Sequence, residues 1–284
     1  MRAVDLHTHT NKSDGSFSPS ELVELAAQKN LAAIAITDHD SVDGLDEAMA
    51  VSGKYAVEVI PGIEFSTCYG KQDVHMVGLF IDHHKESFTK ELDSFIESRT
   101  GRNMAMCENL RAAGIDITYE KLIETFPDSV LTRAHYARYL YERGYVKSIP
   151  EAFDRYVGDR TKYFVPREKI TPQASIRMIL QGGGIPILAH PPLYHMSSER
   201  LDKLVADCKE AGLVGIEALY SSYNGADQRD MRRLATKYDL LLSGGSDFHG
   251  TNKPTLSLGN GYGKLFVPEE ILDRQKEYLR NRDR

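Results

Sequence analysis

Residues 31–40 read LAAIAITDHD. The first six are apolar with no polar alternation, the pattern of a strand buried on both faces, as in a parallel sheet covered by helices. The run then breaks into Thr37, Asp38, His39 and Asp40, so the strand delivers polar side chains at its C-terminal end. Upstream, residues 3–6 read as a short strand and SFSPSELVELAAQKN (16–30) as a helix. In that helix Ser18 is the N-cap, Pro19 the first helical residue and Glu21 the return partner of a capping box; Leu22, Leu25 and Ala26 form the apolar face. Downstream, GLDEAMAVSGKY (44–55) reads as a helix, and VEVIPGIEFS (57–66) and DVHMVGLFI (73–81) as strands.

This alternation predicts parallel strands joined by crossover helices. It resumes after residue 166. Thr171 and Pro172 open a helix that stops at Gly182–Gly184, and IPILAH (185–190) is a strand. SSERLDKLVADCKEAG (197–212) is a helix, LVGIEALY (213–220) a strand and DQRDMRRLATKYD (227–239) a helix. LLLSGGSDFHG (240–250) is a strand and loop, and PEEILDRQKEYLRNR (268–282) a closing helix. Residues 88–165 differ: they contain helical segments and no convincing strand, which predicts an all-helical insertion in an α/β domain formed by 1–87 and 166–284. A glycine triplet that follows a helix and precedes a strand is read as a helix stop, not as a phosphate loop, which would precede a helix.

A chain of 284 residues suits one large barrel, or one domain with an insertion. A hydrophobic share of 41% beside 27% charged residues places it among ordinary globular proteins. The net charge of −6 gives no general attraction to long duplex nucleic acid, so any phosphorylated ligand needs a local cationic site. The three cysteines, Cys68, Cys107 and Cys208, form no CxxC pair, which argues against a disulfide framework and a thiolate zinc site and for free thiols in a reducing compartment. Met1 leads into a strand rather than a signal peptide, and no apolar run nears the ~20 residues of a membrane span. A cytoplasmic location without a membrane partner is expected; the oligomeric state is left open.

Histidines and acids recur at the strand ends. Strand one supplies His7 and His9, with Asp14 in the following loop. His39 follows strand two, Glu64 lies on strand three and His75 on strand four. His190 closes IPILAH, and Asp247 and His249 follow LLLSGG. Six of the ten histidines therefore sit where a parallel barrel gathers its active site. Imidazole and carboxylate together suit borderline divalent metals. Nine candidate ligands exceed the four of a usual zinc site, so two or three ions with a bridging carboxylate fit better. Such clusters suit phosphoryl or acyl hydrolysis.

In order and spacing, HTHTNKSDG (7–15), ITDHD (36–40), GIEFS (62–66), VHMVG (74–78), LAHP (188–191) and GSDFHG (245–250) resemble the polymerase-and-histidinol-phosphatase (PHP) superfamily. The insertion, with SRTGR (98–102) and TRAHYARYL (132–140), then GGGIPILAHP (182–191), is similar to the stand-alone PHP phosphoesterases. That subgroup is associated with 3',5'-nucleoside bisphosphate phosphatase activity and with 5'-to-3' exonuclease activity on short RNA. The resemblance implies a distorted (β/α)7 TIM-like barrel and three divalent ions, manganese first, with zinc or iron as alternatives. It implies one ion held by His7, His9, Glu64 and Asp247, a second by Glu64, His75 and His190, and a third by Asp14, His39 and His249. It further implies attack on phosphorus by a metal-bound hydroxide, with Asp14, His39 or His249 assisting proton transfer; which of them is the acid stays open.

Outside that set, Arg99 and Arg102 share a helix face, and guanidinium groups are natural phosphate holders. On the expectation that the insertion folds over the barrel mouth, they and Arg133 are substrate candidates. His135 is open between a substrate contact and a core histidine. Arg138 and Arg143 are read as solvated, His83 and His84 as having no ligand role, and His195 as a rim candidate. Asp40 is either a support for a metal-bound imidazole or a helix cap. Tyr220 and Tyr223 could stack on a base. The readings kept are a phosphatase for the 3'-phosphate of 3',5'-nucleoside bisphosphates, a 5'-3' exoribonuclease on short RNA ends, a histidinol-phosphate phosphatase and a non-catalytic metal-binding module. The insertion disfavours the third and the intact ligand set the fourth.

Overall fold

A computed structural model describes residues 2–127, 129–158, 160–165 and 170–283, excepting the side chains of Ser98 and Arg99. The chain divides into two compact units, residues 1–89 with 169–284, and residues 90–168.

The first unit is an eight-stranded sheet in the order β7-β6-β5-β4-β3-β2-β1-β8. Its strands are β1 (Ala3–Thr8), β2 (Ala33–Ile36), β3 (Glu58–Tyr69), β4 (Gln72–Leu79), β5 (Ile185–Leu188), β6 (Gly215–Tyr220), β7 (Leu241–Gly245) and the two-residue β8 (Val267–Pro268). The parallel pairs are β1–β2, β2–β3, β5–β6 and β6–β7. All four residues of β2 and of β5 are buried, as strands packed on both faces require. Around the sheet lie α1 (Pro19–Gln28) and α2 (Leu45–Ser52), and the first unit also holds the start of α3 (Glu86–Ala112). In the second half, α7 (Pro172–Gln181), α8 (Ser198–Glu210), α9 (Gly225–Lys237) and α10 (Glu269–Arg282) alternate with strands. The capping box at α1 forms as expected: Glu21 N donates to Ser18 Oγ, and Ser18 N to Glu21 Oε2. α7 stops at Gly182, and Gly183 takes a left-handed φ of 74°.

Two strands depart from the all-parallel expectation, β4 and the two-residue β8, which runs antiparallel to β1. β4 runs antiparallel to both β3 and β5. Only Gly70 and Lys71 separate β3 from β4, too few residues for a crossover, and Gly70 takes the positive φ (67°) that a tight hairpin asks of glycine. The reversal matters for the site: the first half of β4 lies at the end of the sheet where the parallel strands finish.

The sheet nearly closes on itself at that end. His9 N donates to Phe248 O and Asp247 N to His7 O, both at 2.9 Å, around a parallel bridge between Thr8 and Phe248. At the other end β8 pairs antiparallel with Ala3 and Val4 of β1.

The second unit is helical, comprising the rest of α3 with α4 (Tyr119–Thr125), α5 (Arg133–Glu142) and α6 (Ile149–Ala152). It has its own core, including Met106, Leu110, Leu122, Tyr136 and Leu140. No helix among the described residues is long and apolar enough to cross a membrane.

Candidate metal centre

Glu64 is the hub. It lies on β3 and is 1% exposed. Its Oε1 is 2.9 Å from His75 Nδ1 and 3.0 Å from His190 Nε2. Its Oε2 is 3.3 Å from His7 Nε2, 3.3 Å from His9 Nε2 and 3.0 Å from His39 Nδ1. Beside it, Asp247 Oδ1 lies 3.2 Å from His9 Nε2 and 3.5 Å from His249 Nδ1. Asp14 completes the ring, with Oδ1 3.1 Å from His249 Nε2 and Oδ2 3.8 Å from His39 Nε2. All nine residues singled out in the sequence thus meet in one place, from six strands or their following loops. Their ligand atoms form overlapping groups within 4.8 Å: His9, Asp14, His39 and His249; His7, Glu64 and His190; His7, His9 and Asp247; His39, Glu64 and His75.

Local devices hold this arrangement. Asp38, buried, accepts from Thr10 N (2.8 Å), Thr10 Oγ1 (2.6 Å) and Ser13 Oγ (2.5 Å), which shapes the loop presenting Asp14. Asp5, also buried, accepts from Ser246 N and Gly259 N at 2.7 Å each, tying β1 to the loop after β7. A Cβ on Gly245 would stand 2.4 Å from His7 Cβ, so only glycine lets β7 approach β1 this closely. Asp40 accepts from Ser66 N at 2.8 Å. His190 and Asp247 both adopt left-handed backbone (φ 31° and 58°), a strain of order 1–3 kcal/mol each. Each is pinned by its own amide: His190 N donates to Glu217 Oε2 at 2.7 Å and Asp247 N to His7 O at 2.9 Å.

Glu217 is the main residue that sequence reasoning missed. It is buried on β6, and its Oε1 lies 2.8 Å from His7 Nδ1. A signal was present: it is the one charged residue of the apolar strand LVGIEALY. Lys253 was missed too, and here no motif points to it; its Nζ donates to Asp247 Oδ2 at 2.7 Å. Tyr220 also donates to Asp247 Oδ2, at 2.6 Å, and its ring lies 5.5 Å from that of His190.

The chemistry of the donor set fits divalent cations. His7 gives its Nδ1 proton to Glu217, which leaves the lone pair of neutral His7 on Nε2. That lone pair faces a carboxylate oxygen of Glu64 at 3.3 Å, an acceptor against an acceptor, tolerable only with a proton or a cation between them. His7 Nε2, His9 Nε2, His39 Nδ1 and Glu64 Oε2 are all buried and make no hydrogen bond. Without a cation the site must hold protons. Burial pulls His7 and His9 down, but Glu217 and Glu64 lift His7 well above its usual value, and Asp247 and Glu64 lift His9 to about 9. Burial pushes Glu64, Asp14 and Asp247 up; it is outweighed by His39 and His7 at Glu64, by His39 and His249 at Asp14, and by Lys253 and His249 at Asp247, so all three fall well below the carboxylate range. Burial holds His39 itself down to about 3.

The substrate candidates of the insertion stand apart from this cluster in sequence and belong to the second unit. Arg102 Nη1 lies 3.0 Å from Met106 Sδ, and Arg133 stacks its guanidinium 5.6 Å from the Phe164 ring. His135 is buried; Thr132 N donates to its Nδ1 at 3.0 Å within a capping box at the start of α5. The side chain of Arg99 lies outside the described residues. His195 takes left-handed backbone (φ 51°) and is outside the clusters above.

Three comparisons bear on this centre. The PHP domain model matches residues 5–164. The chain is 38% identical to a 5'-3' exoribonuclease of Haemophilus influenzae, over 87% of this chain and 90% of that one. It is 31% identical to a 3',5'-nucleoside bisphosphate phosphatase of Chromobacterium violaceum, over 92% of each. A solved structure from Chromobacterium violaceum, described as an amidohydrolase with bound sulfate and no metal, superposes with a TM-score of 0.85 at 30% identity, covering 97% of this chain and 96% of that one.

Proposed function

This chain belongs to the PHP domain family and is a metal-dependent phosphoesterase, and from that premise we propose that it removes the 3'-phosphate of 3',5'-nucleoside bisphosphates. The observation that carries the reading is the convergence of six imidazoles and three carboxylates, Glu64 among them, in one place, with acceptor atoms facing one another across the space a cation would take. The likeness to the nucleoside bisphosphate phosphatase supports the substrate. A second reading, trimming of short RNA from its 5' end, is favoured by the 38% identity to an exoribonuclease.

We assign three ions to the centre, manganese first, with zinc or iron as alternatives: one on His7, His9, Glu64 and Asp247, one on Glu64, His75 and His190, one on Asp14, His39 and His249. Divalent cations there supply Lewis acidity toward phosphoryl oxygens and lower the pKa of bound water. The chain's own residues do the rest. Glu217 keeps the His7 proton on Nδ1 and its lone pair toward the centre. Lys253 and Tyr220 engage the outer oxygen of Asp247, leaving Oδ1 turned inward. Asp14, His39 and His249 form the group assigned to proton transfer at the leaving oxygen. Arg99, Arg102, Arg133 and His135 are assigned to the substrate phosphate, with residues 88–165 forming a helical insertion domain in a barrel domain of 1–87 and 166–284. A cytoplasmic location accords with Cys68, Cys107 and Cys208 being thiols outside any disulfide.

The test is a substrate panel on manganese-loaded protein: 3',5'-bisphosphates, nucleoside monophosphates, histidinol phosphate and short 5'-phosphorylated RNA, with free phosphate and nucleotide products measured separately. Fastest turnover is expected on bisphosphates. Release of nucleotides from RNA without phosphate release from bisphosphates overturns the first reading in favour of the second.

A further inference from the structure

Away from the centre, the first unit holds another convergence of imidazole and carboxylate. His83 Nε2 and His84 Nε2 lie 2.8 Å and 3.0 Å from one oxygen, Asp46 Oδ1. Asp46 stands in the first turn of α2, whereas the histidines lie in the segment after β4. Adjacent residues on an extended strand point apart. These two point together because the segment turns: Asp82 N donates to Gly182 O at 2.8 Å, Asp82 Oδ1 accepts from His84 N, and Asp82 O from Lys85 N. Their rings lie 4.1 Å apart, tilted by 39°. The His83 side chain is 9% exposed, so its direction is set by packing, while His84 and Asp46 are 68% and 69% exposed and free to adjust.

We propose that Asp46, His83 and His84 form a second, independent site for a borderline divalent cation such as zinc. Three donors, one from each side chain, lie within 4.8 Å of one another. Two imidazoles and a carboxylate are a donor set that zinc, nickel and copper take in preference to magnesium or calcium. In a tetrahedral zinc site with bonds of about 2.0–2.1 Å, ligand atoms stand about 3.3 Å apart. The observed separations of 2.8 Å and 3.0 Å therefore need to open by only a few tenths of an ångström, which the two exposed side chains permit. Water would complete the shell. The ion would link α2 to the segment after β4. None of the three residues touches the catalytic set, so this site stands or falls apart from the phosphoesterase reading.

The experiment compares zinc stoichiometry, by elemental analysis after equilibrium with zinc alone, in the full-length protein and in the Asp46→Asn and His83→Gln/His84→Gln variants. Each variant is expected to bind one equivalent less than the parent, to lose part of the zinc-induced rise in Tm, and to keep the parent's phosphoesterase turnover with manganese. The same zinc count in parent and both variants overturns the proposal and leaves a plain hydrogen-bonded trio.

Discussion

Replacing Glu217 with Gln changes one atom and removes one charge, yet the structure gives it a large effect on metal binding. Glu217 is 1% exposed and serves two donors, His7 Nδ1 at 2.8 Å and His190 N at 2.7 Å. The backbone amide of His190 cannot reverse its role, so the oxygen of the new amide must face it. The NH2 group then faces His7 Nδ1, and two donors oppose each other. His7 can relieve the clash by moving its proton to Nε2, which aims that proton at Glu64 and Asp247 where a cation belongs. Restoring the ligand form leaves a buried donor unsatisfied, at about 1–3 kcal/mol. Loss of such an outer-shell carboxylate lowers metal affinity about 10–100-fold, or about 1.4–2.7 kcal/mol. Competition against a chromophoric chelator measures this directly, with the melting of metal-free protein as a control on the fold. The affinity of one ion is expected to fall by that factor, and turnover to recover at high metal concentration. A folded Glu217→Gln protein with affinity within about twofold of the parent would refute the tautomer argument.

Other perturbations probe the remaining links. His9→Ala and Asp247→Ala should each abolish turnover and lower metal content together; full activity in either sinks the ligand assignment. Arg99→Ala and Arg102→Ala should raise KM for a bisphosphate nucleotide with metal content unchanged, whereas a fall in metal content would make the pair structural. Gly245→Ala would put a methyl 2.4 Å from His7 Cβ, and such overpacking destabilises by about 1–3 kcal/mol; a parental Tm with parental metal content would show that β1 and β7 separate more easily than argued. Since protons and cations compete for the same imidazoles, and His9 without a cation is lifted to about 9, bound metal should fall as the pH drops through and below 9, and equilibrium dialysis across pH 5 to 9 checks the direction.

Short-range pattern alone carries the layered α/β class and singles out the nine residues that the fold brings together. Unalternated apolar runs mark strands covered on both faces, and in such a fold the strand ends share one place, so a list of polar strand-end residues is already a list of neighbours. The described residues of the unit 90–168 form helices and no strand, in keeping with segments that lack a strand period. What lay beyond reach depends on through-space partners. The reversal of β4, which carries His75 into the site from the early part of its strand, follows from a two-residue connection between runs that look alike in composition. Glu217 becomes meaningful only when β6 sets it 2.8 Å from a histidine 210 residues away. Lys253, Tyr220 and the Asp46–His83–His84 trio likewise acquire partners through loop geometry, which no periodicity encodes. Which atom of an imidazole carries the proton, and hence which nitrogen can hold a cation, is set by those partners and by nothing local to HTHTNKSDG.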